Sequence, residues 1–213
     1  MPRRRPIATR RRPSQARSRV TVEAILDAAA RVLEERGYAA GTTNRIAERA
    51  GVSIGSLYEY FPDKDAIVVA LAERELDAER EEILRVLETA RASESLGLLL
   101  RRFVEAIVDF HARSPALHRI LFDEAVHPPE THACVLRFEE SLAHTLEEVL
   151  RGRRLAVRDP DVAAHLVVQT TESLAHRFVL RGIHKLDQRS FVEEVTRLLV
   201  RYLGTSSGRR SPS

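Results

Sequence analysis

The sequence predicts an all-α protein with a small N-terminal domain of three helices and a larger C-terminal domain of six helices. Apolar residues recur at a spacing of three and four along most of the chain, and no stretch alternates apolar and polar residues for long. Proline and glycine stand where these periodic segments begin and end. A chain of 213 residues is long enough to bury a sizeable core beside a small domain.

The first helix is predicted to begin near Thr21 and to end at Gly37. Its apolar side chains form one stripe, which is the pattern of a helix that packs on one side. Glycine is a common residue at the end of a helix because it adopts left-handed backbone conformations easily. The stripe consists of Val22, Ile25, Leu26, Ala29, Val32 and Leu33.

Two short helices and a tight turn follow the first helix. Thr43 is expected to cap the second helix and Ser53 the third, with Gly51 in the turn between them. Asp63 is expected to cap a long fourth helix that runs to about Arg91. Two short helices joined by a glycine-containing turn form a helix-turn-helix, whose second helix enters the major groove of DNA.

The third helix is expected to bury Leu57 and Phe61 and to leave mostly small or uncharged residues facing outwards. Small side chains at the start of a recognition helix let its backbone approach the base edges closely. The outward residues are Ser53, Ile54, Gly55, Ser56 and Tyr60.

Five more helices are predicted in the C-terminal part, bounded by prolines and glycines. They span Ser95–Arg113, Pro115–Ala125, Pro129–Arg154, Pro160–Arg181 and Gln188–Leu203. These limits give a DNA-binding domain over residues 20–66 and a second domain over residues 67–204. Residues 205–213 are expected to be a disordered tail.

The segment from Ala50 to Lys64 carries a specific resemblance. It reads Ala-Gly-Val-Ser-x-Gly-x-Leu-Tyr-x-Tyr-Phe-x-x-Lys and resembles the signature of the TetR-like (tetracycline-repressor) transcriptional regulators. The upstream residues Ile25-Leu26-x-Ala28-Ala29, Gly37, Thr42-Thr43 and Ile46-Ala47 match as well. This resemblance implies a dimeric DNA-binding regulator, typically a repressor, whose C-terminal domain binds a small ligand.

The resemblance also implies roles for single residues. Thr43 would cap the second helix and donate to a phosphate, Asn44 would contact a base or phosphate, and Tyr58 and Lys64 would contact phosphates. The outward residues of the third helix would lie in the major groove. The predicted DNA-binding set is Thr42, Thr43, Asn44, Arg45, Ser53, Ile54, Gly55, Ser56, Tyr58, Tyr60 and Lys64.

The first 19 residues form a basic arm with eight arginines and no acid. Because the whole chain carries +3 and this arm contributes +8, the remainder carries −5. The arm is expected to be disordered when free, since it also contains three prolines. Its charge favours contact with a polyanion at one end of the protein, although an inert tail is the alternative.

The C-terminal helices contain candidates for a ligand cavity. Aromatic residues cluster on the fifth to seventh helices, and five consecutive polar residues, 169–173, stand in the middle of the eighth. Since consecutive residues are about 100° apart around a helix, at least one of these polar groups must point inwards, either into a pocket or across a subunit interface. The candidate ligand-binding residues are Phe103, Phe110, Phe122, Phe138, Gln169 and Glu172. For each aromatic residue, an ordinary core position is the alternative.

The last helix carries a wide apolar stripe. As the resemblance implies, the last two long helices pair with their copies in a homodimer, although burial against the same chain accounts for part of the stripe. The stripe consists of Phe191, Val192, Val195, Leu198, Leu199 and Tyr202.

Several other functions find little support in the sequence. Cys134 is the single cysteine, so an internal disulfide and a cysteine metal cage are excluded, and the histidines form no HxxxH pair. No catalytic motif, cofactor, metal site, signal peptide or membrane span is expected, which favours a cytoplasmic protein bound to double-stranded operator DNA. An appended enzyme domain, an architectural nucleic-acid-binding protein and an activator remain alternatives. The ligand, expected to be apolar or amphipathic, and the target genes stay open.

Overall fold

A computed structural model of the chain describes residues 13–91, 93–124, 129–181 and 186–204. The regular structure in these ranges is entirely helical, which confirms the predicted fold class. The helices are α1 (Pro13–Ala40), α2 (Thr43–Ala50), α3 (Ile54–Tyr60), α4 (Lys64–Glu88), α5 (Leu96–Arg113), α6 (Pro115–Arg119) with a π-helical turn (Ile120–Glu124), α7 (Pro129–Arg151), α8 (Pro160–Arg181) and α9 (Gln188–Leu203).

The chain divides into two compact units between Leu71 and Ala72. The division falls inside α4, slightly after the predicted boundary at residue 66. Because the boundary lies inside a helix, the composition of the chain does not change there. The sequence pattern therefore placed the boundary at the start of the helix.

The start of the first helix was predicted wrongly. Helix α1 begins at Pro13 instead of Thr21, because proline fits the first turn of a helix and no helix breaker follows it. The predicted disordered arm over residues 1–19 therefore ends within α1. Residues 1–12, with six of the eight arginines, lie outside the described residues, as does the predicted tail 205–213. The chain leaves helical geometry at Gly37, where φ is +74°, as the position of this glycine predicts.

The N-terminal unit is held by a small apolar core. Helix α1 packs on α2, and α2 packs on α3. Each helix contributes at least one side chain with no exposed surface, which allows the short α2 and α3 to be stable although neither buries much by itself. These side chains are Ile25, Leu33, Ile46, Leu57 and Ile67.

The C-terminal unit is built around α5, which packs on α8 and α9, while α7 packs on α8. The segment predicted as one helix over Pro115–Ala125 is the short α6 followed by the π-helical turn. A π-helical turn widens the helix locally and is frequent at functional sites.

The apolar stripe of α9 is split between the inside and the outside of this unit. Leu199 is buried within the chain, whereas Leu198 and Tyr202 are about half exposed. Part of the stripe is therefore buried against the same chain, as expected, because α9 uses one side to pack on α5. Among the described residues, no helix combines the length and apolar character that spanning a membrane requires.

Candidate nucleic-acid interface and ligand cavity

The residue that caps the start of helix α2 lies one position earlier than the sequence predicted. Thr42 is the N-cap, with extended backbone angles, and its side chain accepts a hydrogen bond from the Arg45 amide at 3.4 Å. Thr43, which was predicted to be the cap, is the first helical residue. Either threonine fits the consensus for a cap, so the pair Thr42-Thr43 could not be resolved by residue type alone.

The turn between α2 and α3 depends on Gly51 and Ser53. Gly51 adopts the left-handed conformation with φ +70°, which glycine takes without a steric penalty. Ser53 then caps α3 by accepting from the Ser56 amide at 3.0 Å, and its hydroxyl donates to the Ser56 hydroxyl at 3.0 Å. This cap confirms the predicted start of α3.

Helix α3 turns one side to the core and the other to solvent. Leu57 and Phe61 are buried, as predicted, whereas Ile54 and Gly55 are exposed. We call the outward residues the recognition face; they are Ser53, Ile54, Gly55, Ser56 and Tyr60. A Cβ atom added to Gly55 would meet only the Ser53 hydroxyl, at 3.8 Å, so glycine here leaves open space above the backbone.

The residues around α2 that are predicted to contact DNA differ in how their polar groups are used within the chain. The hydroxyls of Thr43 and Tyr58 lie 3.1 Å apart and link α2 to α3. The Asn44 side chain is exposed. The Arg45 guanidinium, by contrast, donates to the Ala40 carbonyl oxygen at 2.5 Å, so part of its hydrogen-bonding capacity is used within the chain.

Lys64 is held at the start of α4 by Tyr38. Its ammonium nitrogen donates to the Tyr38 carbonyl oxygen at 2.9 Å and lies 3.7 Å from the centre of the Tyr38 ring. The Tyr38 hydroxyl donates to Asp65 at 2.5 Å. Burial and this hydrogen bond raise the pKa of Tyr38 to about 12. Two of the three ammonium protons of Lys64 remain for other acceptors.

The C-terminal unit contains a cavity of about 640 Å³ among α4, α5, α6, α7 and α8, which is the size of a typical small-molecule site. Of the six predicted ligand-binding residues, Phe122, Phe138, Gln169 and Glu172 line it. The Gln169 amide donates to Glu139, another wall residue, at 3.2 Å.

Phe103 and Phe110 do not line this cavity. Phe103 is completely buried in the core, and the Phe110 ring lies 5.4 Å from the Arg113 guanidinium. These two residues therefore do not belong to the wall of this cavity, because apolar periodicity does not distinguish a core face from a cavity wall.

The most polar part of the wall was missed by the sequence analysis. Three histidines, His111, His118 and His176, meet there beside the carboxylates of Glu79 and Glu172. They stand on α5, α6 and α8, and His176 follows His118 by 58 residues. The only signal in the sequence was a surplus of histidines on apolar helices, which did not show that they converge.

Burial controls the charges of this cluster. It raises the pKa of Glu79 to about 8 and that of Glu172 well above its ordinary value. Burial, together with the neighbouring His111 and His176, lowers the pKa of His118 to about 2. All three effects disfavour charged forms, as expected for ionisable groups removed from water.

Comparison with known families assigns both units. Residues 25–71 match the family model described as bacterial regulatory proteins, tetR family. Residues 95–203 match the tetracyclin repressor-like C-terminal domain. The chain belongs to the TetR family.

Two relatives of this TetR-family regulator illustrate the range of the family. The nucleoid occlusion factor SlmA of Pasteurella multocida is 30% identical over 175 residues, which cover 78% of this chain and 85% of SlmA. The HTH-type transcriptional activator FasR of Mycolicibacterium smegmatis is 30% identical over 172 residues, covering 79% and 76%. This family membership makes the protein a DNA-binding transcription regulator.

Solved structures share the fold. The fatty acid degradation regulator FadR of Bacillus halodurans has a TM-score of 0.67 at 23% identity, covering 89% of this chain and 97% of that one. FadR of Bacillus subtilis, solved in complex with stearoyl-CoA, has a TM-score of 0.65 at 20% identity, covering 84% and 97%.

Proposed function

We propose that this TetR-family regulator is a homodimeric repressor that binds an inverted-repeat operator through α3 and is released by a small molecule. The observation that carries the proposal is the recognition face of α3. It presents small side chains and the open space at Gly55 on a helix whose first turn is fixed by the Ser53 cap.

The contacts expected at the operator follow from where the side chains lie. Ser53, Ile54 and Gly55, at the start of α3, would approach the base edges. The side chains of Tyr58 and Lys64 would reach phosphates, which position the protein without reading sequence. We assign Thr42, Thr43, Asn44 and Arg45 to the adjacent backbone, and Ser56 and Tyr60 to the groove.

A dimer is supported by apolar side chains left exposed on the last two helices. Val162 and Leu166 on α8 are 50% and 45% exposed, and Leu198 and Tyr202 on α9 are 51% and 41% exposed. Each pair is four residues apart and therefore lies on one face of its helix. A two-fold dimer through these faces would present two copies of α3 and require a symmetric operator.

The cavity favours an amphipathic ligand over a purely apolar one. Phe122, Val135 and Phe138 offer apolar surface, while the histidines and carboxylates line another part of the wall. The description of one FadR as a fatty acid degradation regulator and the stearoyl-CoA bound to another make acyl compounds the first class to test. Because repression or activation depends on where the operator lies relative to the promoter, an activator such as FasR remains the alternative. Operator binding implies action in the cytoplasm, where bacterial DNA lies.

Selection of bound DNA from a random library tests this function. We expect an inverted repeat to be enriched, and we expect fatty acids or acyl-CoA of one chain-length range to release it in a gel-shift or anisotropy assay. Enrichment of a single asymmetric half-site, or of no sequence, would contradict the proposal for the operator. An unchanged affinity with the whole acyl series would contradict only the ligand class.

A further inference from the structure

The histidine cluster in the cavity has the composition of a metal centre. The rings of His111 and His118 have centroids 4.2 Å apart, and those of His118 and His176 are 5.2 Å apart. One nitrogen from each of the three rings lies within 4.8 Å of the other two. Neutral imidazole is a preferred ligand of zinc and of its neighbours in the first transition series.

The surroundings of two of these rings decide which nitrogen carries the proton. The Nδ1 atom of His111 lies 3.0 Å from the Ile107 carbonyl oxygen, which only accepts, so this nitrogen is the donor and Nε2 keeps its lone pair. Similarly, Nε2 of His176 lies 2.9 Å from the Asp123 carboxylate, which leaves a lone pair on Nδ1. Metal-bound histidines are held in this way, with the second N–H on a carbonyl or carboxylate oxygen.

The lone-pair nitrogens face the same region as a buried carboxylate. Nδ1 of His176 lies 3.1 Å from Nε2 of His118, and it accepts the Nε2 proton of His118 in a hydrogen bond that a bound ion would replace. Nε2 of His111 lies 3.6 Å from Oε2 of Glu172. The latter distance is too long for a hydrogen bond. Tetrahedral zinc holds nitrogen or oxygen ligands at about 2.0–2.2 Å, which places neighbouring ligand atoms about 3.3–3.5 Å apart. The distance between His111 and Glu172 is slightly longer than that separation, and the distance between His118 and His176 is slightly shorter.

Unpartnered polar atoms point to the same place. The Oε1 atom of Glu172 and the hydroxyl of Thr131 are buried without a hydrogen-bond partner among the described residues, and Oε1 of Glu79 lies 3.2 Å from Nδ1 of His111. All three residues line the cavity. Buried polar atoms in folded proteins nearly always have a partner, and those that lack one often face an ion, a water or a ligand.

We propose that His111, His118 and His176 bind a divalent transition-metal ion of the zinc class, with Glu172 as the fourth ligand. Asp123 and the Ile107 carbonyl orient two of the histidines. A bound ion would favour the charged carboxylate of Glu172 and would tie α6 to α5 and α8. This inference does not depend on the operator or on an acyl ligand, because metal binding is measured without either.

Titration of the tag-free, chelator-treated full-length protein with Co²⁺ tests the proposal. We expect the visible absorption of tetrahedral Co²⁺ to saturate at one ion per chain and to disappear when Zn²⁺ is added. A wild-type protein that develops no such absorption and takes up no Zn²⁺ overturns the proposal, whatever its variants do.

Variants assign the site. His118→Gln and His176→Gln should abolish stoichiometric binding, and Asp123→Asn, which leaves every ligand in place, should weaken it about 10–100-fold. His165→Gln is the matched control, since His165 stands on α8 beside the Asp161 carbonyl and outside the cluster. Circular dichroism establishes that the variants are folded. Binding that is unchanged in folded His118→Gln, or lost equally in His165→Gln, would overturn the assignment.

Discussion

The hydroxyl of Tyr58 on α3 lies 3.1 Å from the hydroxyl of Thr43 on α2. This contact joins the two helices of the helix-turn-helix at the surface, where Tyr58 is 49% exposed. Removing the phenolic oxygen by Tyr58→Phe should weaken binding to specific and non-specific DNA by the same factor, since a phosphate contact carries no sequence information. We expect about 3- to 10-fold, the effect of one hydrogen bond, measured by fluorescence anisotropy on both DNAs. A loss confined to the operator would instead place Tyr58 against a base.

Lys64 has a structural role as well as its proposed contact with DNA. Lys64→Ala removes the hydrogen bond to the Tyr38 carbonyl and the cation over the Tyr38 ring, so we expect a loss of about 1–2 kcal/mol of folding stability in urea melts. It should also lower the dependence of log K on log salt by about 0.9 per subunit. The control Tyr38→Phe leaves the carbonyl and the ring in place and should preserve the salt dependence. If Lys64→Ala does not change the salt dependence, Lys64 contacts no phosphate.

Two adjacent leucines of α9 differ in exposure, and this difference allows the proposed dimer interface to be tested separately from the core. Leu198 is 51% exposed and Leu199 is 2% exposed. Leu198→Glu should yield folded monomers with weak operator affinity in sedimentation and binding assays. Leu199→Glu should unfold the C-terminal unit, because it buries a charge in the core. A Leu198→Glu protein that remains dimeric would show that the interface lies elsewhere.

Deleting residues 1–12 tests the basic arm. The deletion removes six arginines and retains all of α1. If each subunit of a dimer engages two to four phosphates through this arm, the salt dependence should fall by about 4 to 7 in slope. Preference for the operator core should persist, with a mild loss at A·T-rich flanks. An inert arm would leave both slope and affinity unchanged, and measurement from low to moderate salt distinguishes the two results.

The fold was predictable from the sequence because helical periodicity, caps and prolines are local signals. Ser53 and Asp63 each cap a helix, as their positions predicted. Thr42 and Thr43 have the same chemistry, so backbone geometry was needed to decide between them. The start of α1 at Pro13 was missed because the arginines and prolines before Thr21 look like a disordered tail.

The cavity was predictable only in part, because it depends on contacts between distant segments. Glu172 was found because five consecutive polar residues must place one group inwards. The histidines of the same cavity wall were missed, since His118 and His176 are 58 residues apart and metal-site patterns rest on short spacings. Phe103 and Phe122 have similar sequence surroundings, yet one is core and the other lines the cavity.

The central claim, that α3 lies in the major groove with its backbone close to the bases, is tested most directly by Gly55→Ala. The added methyl group meets no atom closer than 3.8 Å in the protein, and alanine is favoured over glycine in a helix by about 0.5–1 kcal/mol. Thermal stability should therefore stay constant or rise, while operator affinity, measured by anisotropy on the selected DNA, should fall about 10-fold or more because the methyl group occupies the space needed by the base edges. Gly152→Ala, at another open glycine, is the control and should bind like the wild type. Undiminished operator affinity and unchanged sequence preference in Gly55→Ala would contradict the account.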